Sequence, residues 1–200
     1  MIALRLFCAS RRLVGSVVAF AACAVAGLWI GTAQLRLRED AATSVPWLVL
    51  VPLLPACLVG LGVRSPLHQF DRLAARPMWT VRGLHLAVLA LLATVAGVLP
   101  AIGLGPPTGA AAASRNLAGF TGLALLGGVV FGSRLSWLLP ISWAVSATTL
   151  GDPSGTGLPW DWPVRVDADR GALLIALALL VAGCATFLTR GSREPAAEVD

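Results

Sequence analysis

Few side chains in this sequence are suited to acid–base, metal or nucleophilic chemistry. The chain has two histidines, His68 and His85, no tyrosine and no lysine, and its 10 acidic residues lie mainly between apolar segments. A phosphate-binding loop of the form G-x-x-x-x-G-K-[ST] needs a lysine, and the H-E-x-x-H and G-x-S-x-G patterns are absent. We therefore expect no enzymatic activity, no bound cofactor and no hydrolysis of ATP by this chain itself.

The cysteines and the basic charge also point away from metal or nucleic-acid chemistry. Cys8, Cys23, Cys57 and Cys184 show no metal-ligand spacing such as C-x2-C, so we expect neither a metal site nor a disulfide. The sequence pI is about 10.2. However, the 15 arginines form no basic stripe with interleaved aromatic residues, and we expect no nucleic-acid binding.

The composition favours lipid as the solvent of most of the chain. Hydrophobic residues make up 57% of it, charged residues 12%, and the mean hydropathy is +0.82. A soluble domain carries about 25% charged residues. Because a fold of 200 residues cannot hide this much apolar surface from water, we expect a multi-pass protein of the cell membrane.

Six charge-free segments could form the membrane-spanning elements. They are residues 13–33, 45–63, 83–104, 116–132, 135–150 and 171–189. None alternates with period two, so helices are favoured over a barrel. The sequence therefore predicts an all-α, polytopic membrane bundle of about six transmembrane helices in one domain, residues 1–190, with a polar tail at 191–200. Segments 116–132 and 135–150 are short, and either both cross or together form a re-entrant hairpin.

The arginines predict the orientation of the bundle. With the N-terminus in the cytoplasm, ten arginines fall on the cytoplasmic side and five outside, so both termini are predicted to be cytoplasmic. Trp160 and Trp162 then lie at the outer interface as part of an aromatic belt, with ligand stacking as the alternative. His85 lies about one turn inside the cytoplasmic boundary. We expect it to reach the interface or bond a neighbouring helix, and a proton relay is the alternative.

The predicted cytoplasmic loop from Arg64 to Arg82 is the strongest candidate for a partner-docking element. Between Pro66 and Pro77, apolar residues recur at helical spacing and charged residues occupy other faces, which predicts a short amphipathic helix. Its candidate docking residues are Leu67, Phe70, Asp71, Arg72, Leu73 and Arg76. A plain interfacial helix on anionic lipid is the alternative.

Glycines in the fourth segment are candidates for close helix packing. They are Gly119, Gly122, Gly128 and Gly132, of which the last two form a G-x-x-x-G pair. The packing partner is either a helix of this chain or a second subunit in a homo- or hetero-oligomer. In the fifth segment Pro140 predicts a kink, with Ser136 available to the freed carbonyl.

The layout resembles the membrane subunits of type-2 ABC exporters and small actinobacterial permease-like proteins. The resemblance rests on the six segments, the predicted orientation, the Arg64–Arg82 loop at the position of a coupling helix, and the missing ATP site. The stretches Asp71–Pro77 and Arg115–Leu123 add to it. It implies a permease-like subunit of an ATP-driven transporter that docks a separate ATPase through residues 64–82.

Two other functions remain open from the sequence. One is a non-transporting membrane scaffold, immunity or assembly protein that acts by helix packing, which the apolar segments favour. The other is a lipid-handling enzyme whose site would use Asp161, Asp167 and Asp169 in the loop after the fifth segment. The substrate of a transporter cannot be read from these residues.

Overall fold

Helices are the regular secondary structure of the described part of the chain. The computed structural model describes residues 13–37, 45–63, 78–104, 109–151, 158–165 and 169–193. These residues contain no β-strand, and they form helices α1 (Leu13–Leu37), α2 (Val45–Gly62), α3 (Met78–Leu104), α4 (Gly109–Val130), α5 (Leu138–Leu150) and α6 (Arg170–Arg190). A 3-10 turn, Ser133–Leu135, joins α4 to α5. The prediction of an all-α chain is confirmed for these residues.

Two of the described helices are long and apolar enough to cross a membrane, judged by length and composition. They contain the stretches Thr80–Ile102 in α3, of 23 residues, and Arg170–Arg190 in α6, of 21 residues. A hydrocarbon core about 30 Å thick needs about 20 apolar residues. Shorter apolar stretches occur at Gly15–Ile30 in α1 and Val51–Gly62 in α2.

Helix α4 lies at the centre of the bundle. It contacts α2, α3, α5 and α6, and its most extensive contact is with α6. Glycines allow the α4 and α6 backbones to touch. A Cβ on Gly122 would lie 2.3 Å from the carbonyl oxygen of Leu179, and one on Gly183 would lie 2.5 Å from that of Gly122. Small residues permit this close approach of two helices.

The sides of the bundle are apolar and exposed. Leu91 and Leu99 of α3 are 66% and 58% exposed, and Leu174 and Val181 of α6 are 67% and 66% exposed. Exposed apolar area of this extent on a monomer marks a contact with another apolar medium or molecule. Helices α3 and α6 thus bury one face against α4 and present another apolar face outward.

Helix α4 begins and ends earlier than the sequence predicts. The helix includes residues 109–114, which precede the predicted segment 116–132. Alanine has the highest helix propensity of any residue type, and the run Ala110–Ala113 therefore favours this extension. The helix ends at Val130, and Gly132 has a φ of 93°. Gly128 and Gly132 therefore do not lie on one helix face, and the predicted G-x-x-x-G pair is wrong.

Helix α5 is shorter than its predicted segment. Its 13 residues extend about 20 Å, which is less than the hydrocarbon core. Pro140 is its third residue, where a backbone N–H has no intrahelical partner, so the expected interruption within the helix does not occur. Ser136 instead donates its hydroxyl to the carbonyl of Ser133 at 2.9 Å, within the 3-10 turn.

Candidate functional site

A buried group of charged and amide side chains lies between α4, α6 and the non-helical segment 158–165. Its members, which we call the polar cluster, are Arg115, Asn116, Asp161, Arg165 and Asp169. Arg165 bridges the two carboxylates, with a distance of 2.6 Å to Oδ1 of Asp161 and a hydrogen bond to Oδ2 of Asp169. Two arginines and two aspartates give the cluster no net charge.

Side chains of the cluster and of α5 satisfy the backbone carbonyls of segment 158–165. Arg115 donates to the carbonyl of Arg165 at 2.5 Å, and Asn116 donates to that of Pro163 at 2.7 Å. Trp143 donates to the carbonyl of Trp160 at 3.0 Å. Buried backbone outside regular structure needs such partners because water does not reach it. The cluster therefore lets a non-helical segment run through the interior of the bundle.

The side chain of Trp162 extends from this segment into the interior of the bundle. Trp162 is fully buried, and its ring centroid lies 5.2 Å from that of Phe120. A Cβ on Gly119 would lie 2.2 Å from Cη2 of Trp162, so this glycine makes room for the indole. Gly119 is ten residues into α4, about 15 Å along the helix axis. The expected place of Trp162 in an interfacial aromatic belt is therefore wrong.

Asp169 bonds both the N-terminus of α6 and the side chain of Arg165. Its Oδ1 accepts from the backbone N–H of Gly171 at 2.7 Å and of Ala172 at 3.4 Å, which makes it the N-cap. The hydrogen bond from Arg165, opposed by burial and aided by these two N–H groups, keeps the pKa of Asp169 below its usual value. Asp169 is thus a charged anchor between α6 and segment 158–165.

The two described carboxylates are placed to hold segment 158–165 and α6 together rather than to act on a substrate. Asp161 is fully buried, and its Oδ1 faces Arg165, while Asp169 is occupied by Arg165 and by the helix N-terminus. Oδ2 of Asp161 and Nε1 of Trp162 lack a hydrogen-bond partner among the described residues. Asp167, the third acid suggested by the sequence, lies outside the described residues.

An open groove of about 300 Å³ lies beside the cluster, on the flank of α5. It is lined by Ser142, Trp143, Ser146, Leu150 and Trp160. Ser142 and Ser146 donate their hydroxyls to carbonyls of α5 itself, so they offer a ligand no uncommitted donor. The lining is therefore mainly apolar.

The opposite end of the bundle ties α2 to α3. Nε2 of His85 lies 2.9 Å from the carbonyl oxygen of Gly62, and His85 is 2% exposed. The described hydrogen bond of His85 thus joins it to a neighbouring helix, which is one of the two places expected from the sequence. The candidate docking residues all lie outside the described residues; they are Leu67, Phe70, Asp71, Arg72, Leu73 and Arg76.

Four arginines surround this same end, and we call Arg82, Arg134, Arg190 and Arg193 the arginine face. Arg134, Arg190 and Arg193 are exposed, and Arg82 is half-buried. The backbone N–H of Arg193 donates to the carbonyl of Gly128 at 3.0 Å, which joins the end of α6 to the end of α4. The arginine face is therefore built on ordered backbone from three elements.

The four candidate packing glycines are all buried within this chain. Gly119 accommodates Trp162, and Gly122 contacts the backbone of Leu179. The carbonyl of Gly128 accepts the N–H of Arg193, and Gly132 occupies a turn with positive φ. Sequence reasoning missed Gly183, which faces Gly122, since a lone glycine in a long apolar run gives no sign of its partner.

The polar cluster was also missed as a unit. The sequence does show Arg115 and Asn116 as a strongly polar pair at the start of the fourth segment. It also shows Asp161 and Arg165 four residues apart. Nothing in the sequence brings positions 115 and 165 together. Comparisons of the chain with protein-family models, with curated proteins and with solved structures find no match.

Proposed function

We propose that the chain is a multi-pass protein of the cell membrane, with six helices associated with the bilayer. The observation that supports this most is the exposed apolar surface of α3 and α6, the two helices long enough to cross. In lipid this surface carries no penalty, whereas in water it promotes association. The non-helical segment 158–165 fits the same setting because side chains satisfy its carbonyls.

We propose further that the arginine face lies in the cytoplasm and the polar cluster at the outer side. The described carboxylates, Asp161 and Asp169, both belong to the polar cluster, whereas the arginine face contains four arginines. Cytoplasmic loops of membrane proteins carry the excess of arginine. Cysteine labelling from either side of the membrane, at residues 64–82 and at residues 152–157, tests this orientation directly.

Within that frame we propose a permease-like subunit of an ATP-driven, ABC-type transporter, which docks a separate ATPase through residues 64–82. The bond between His85 and Gly62 supports this proposal, because it joins the two helices from which the loop leaves and returns. A displacement of the loop would then move α2 and α3 together, and both contact the central helix α4.

The test of docking is co-purification with an ATPase subunit from the native membrane. Replacing Phe70→Ala together with Arg72→Glu and Arg76→Glu removes the apolar anchor and reverses the charge of the loop. We expect loss of the partner, while the matched change Arg170→Glu, at the other end of the bundle, keeps it. Retention of every partner by the triple variant would exclude docking through this loop.

A second candidate is a non-transporting scaffold, immunity or assembly protein. The close contact of α4 with α6 at Gly122 and with the 3-10 turn at Gly127 favours it, because a tightly packed central helix resists rearrangement. The rate of ATP hydrolysis by a co-purified partner discriminates the two. A transporter subunit is expected to change that rate when added back, whereas a scaffold leaves it unchanged.

A further inference from the structure

We propose that the arginine face binds the phosphate groups of anionic lipids in the inner leaflet. This inference rests on the proposed insertion in a membrane with the arginine face in the cytoplasm. It concerns different arginines from those of the 64–82 loop, and it names lipid rather than protein as the partner. The argument rests on how the four arginines are held and on the charges around them.

Arg82 packs against the backbone at the end of α6. A Cβ on Gly191 would lie 3.1 Å from Cζ, 3.2 Å from Nη1 and 3.1 Å from Nη2 of Arg82, so the guanidinium lies flat against this residue. Gly191 has a φ of 74°, and its N–H donates to the carbonyl of Phe187 at 2.8 Å. The end of α6 thus places Arg190 and Arg193 on either side of a residue that Arg82 contacts.

Arg134 joins this group through the turn after α4. The carbonyl oxygen of Arg193 lies 2.7 Å from where a Cβ on Gly132 would be, and Gly132 precedes the 3-10 turn that contains Arg134. The contacts of Arg82 with Gly191 and of Arg193 with Gly132 therefore link the segments that contain the four arginines. Because a guanidinium carries five donors in a planar fork, it matches the oxygens of a phosphate group closely.

The charge balance leaves this end strongly positive. The two described carboxylates are paired with Arg165 at the other end of the bundle. In the proposed orientation the cytoplasmic side has ten arginines and four acids in the sequence, a surplus of six. This surplus already counts the acids of the tail, Glu194, Glu198 and Asp200. Clusters of four to eight basic residues at this side of a membrane bind anionic lipid.

The experiment compares lipid retention by variants of the full chain in nanodiscs. The discs contain phosphatidylcholine with or without phosphatidylglycerol, and native mass spectrometry counts the phosphatidylglycerol molecules that stay bound. Arg82→Gln, Arg190→Gln and Arg193→Gln are measured singly and together. Arg170→Gln is the matched control, since Arg170 is an exposed arginine at the other end of α6.

We expect the wild type to retain phosphatidylglycerol over phosphatidylcholine, with retention weakened about fivefold by each arginine removed, and weakened further by salt. The control is expected to match the wild type. Equal retention by the triple variant, or displacement of the lipid by millimolar inorganic phosphate alone, overturns the proposal.

A chain ending at Arg193 tests whether the acidic tail covers the face instead. We expect it to retain phosphatidylglycerol at least as well as the full chain, and a lipid preference that appears only after truncation contradicts the proposal. The two levels of inference fail separately. A chain that stays dissolved without detergent contradicts the proposed membrane function, whereas an inserted chain indifferent to phosphatidylglycerol contradicts only the lipid site.

Discussion

The two ends of this bundle use arginine in opposite ways. In the polar cluster Arg115 and Arg165 are 4% and 7% exposed, and each bonds a backbone carbonyl as well as other polar groups. In the arginine face the side chains of Arg134, Arg190 and Arg193 are exposed, and a described backbone hydrogen bond joins Arg193 to Gly128. Burying a guanidinium is costly unless its donors are satisfied, so the cluster needs its complete set of partners.

This comparison shows that the presence of charged residues does not by itself tell which end of the bundle binds a partner. The polar cluster contains both arginines and carboxylates, and they bond one another and segment 158–165. In the arginine face, Arg134, Arg190 and Arg193 have exposed side chains, which we propose are available to an external partner. The changes below are chosen to separate a fastening role from a binding role.

The largest loss of stability is expected from a substitution at Gly122, where α4 and α6 pack closely between the two ends of the bundle. The variant Gly122→Ala places a Cβ 2.3 Å from the backbone of Leu179, so α4 and α6 must separate. We expect a loss of about 3 kcal/mol or more in the free energy of unfolding, the upper range for overpacking. Thermal unfolding in detergent, followed by circular dichroism, measures it. Gly15→Ala, where nothing lies within 4 Å of the added methyl group, is the control.

An effect of comparable size is expected within the polar cluster. Arg165→Leu leaves Asp161 buried without its charge partner, and breaking a buried pair in this way costs about 3–5 kcal/mol. The double variant Arg165→Leu with Asp161→Leu is expected to recover a large part of that loss, as measured by chemical unfolding. Arg134→Leu at the other end is expected to change stability little. Equal losses for Arg165→Leu and Arg134→Leu would remove the contrast between the two ends.

A smaller, pH-dependent effect is expected from Asp169. Because the native pKa of this carboxyl is lowered, its charge stabilises the fold above the unfolded pKa of about 4, and this contribution is lost as the pH falls through the lower native value. Asp169→Asn keeps an N-capping side chain without the charge. We therefore expect the melting temperatures of wild type and variant to converge as the pH falls below about 4. A constant difference down to pH 3 would contradict this assignment.

The smallest effect on stability is expected at the arginine face. Arg190→Gln removes an exposed side chain, and exposed substitutions of this kind change the free energy of unfolding by less than about 0.5 kcal/mol. Thermal unfolding in a neutral detergent checks this. A loss above 1 kcal/mol would mean that the arginine face, like the polar cluster, holds the fold together.

The helices could be predicted from the sequence because hydropathy is a local signal. Each described α-helix falls on one of the six apolar segments, and the errors are at the ends. The run from Ala110 to Ala113 falls outside the predicted segment because that segment was bounded by the charge of Arg115. Helix α5 starts beyond Ser136 because Gly132 turns the chain early. Element ends depend on a few residues, whereas element existence depends on many.

The polar cluster could not be predicted because it is made by contacts distant in sequence. Residues 158–165 are rich in tryptophan, proline and charge, a composition that indicates an exposed loop. Contacts such as those of Gly119 with Trp162 and of Asn116 with Pro163 hold this segment inside the bundle. The predicted docking helix between Pro66 and Pro77 stays a prediction.

In the membrane setting that we propose, the short length of α5 bears on the lipid around the molecule. Helix α3 has 27 residues and extends about 40 Å, whereas the 13 residues of α5 extend about 20 Å. A bilayer in contact with both must meet unequal hydrophobic heights on two sides of one protein. Mismatch of this kind is relieved by thinning of the nearby leaflets or by tilt of the longer helix. The chain is therefore expected to insert asymmetrically and to favour thinner membranes.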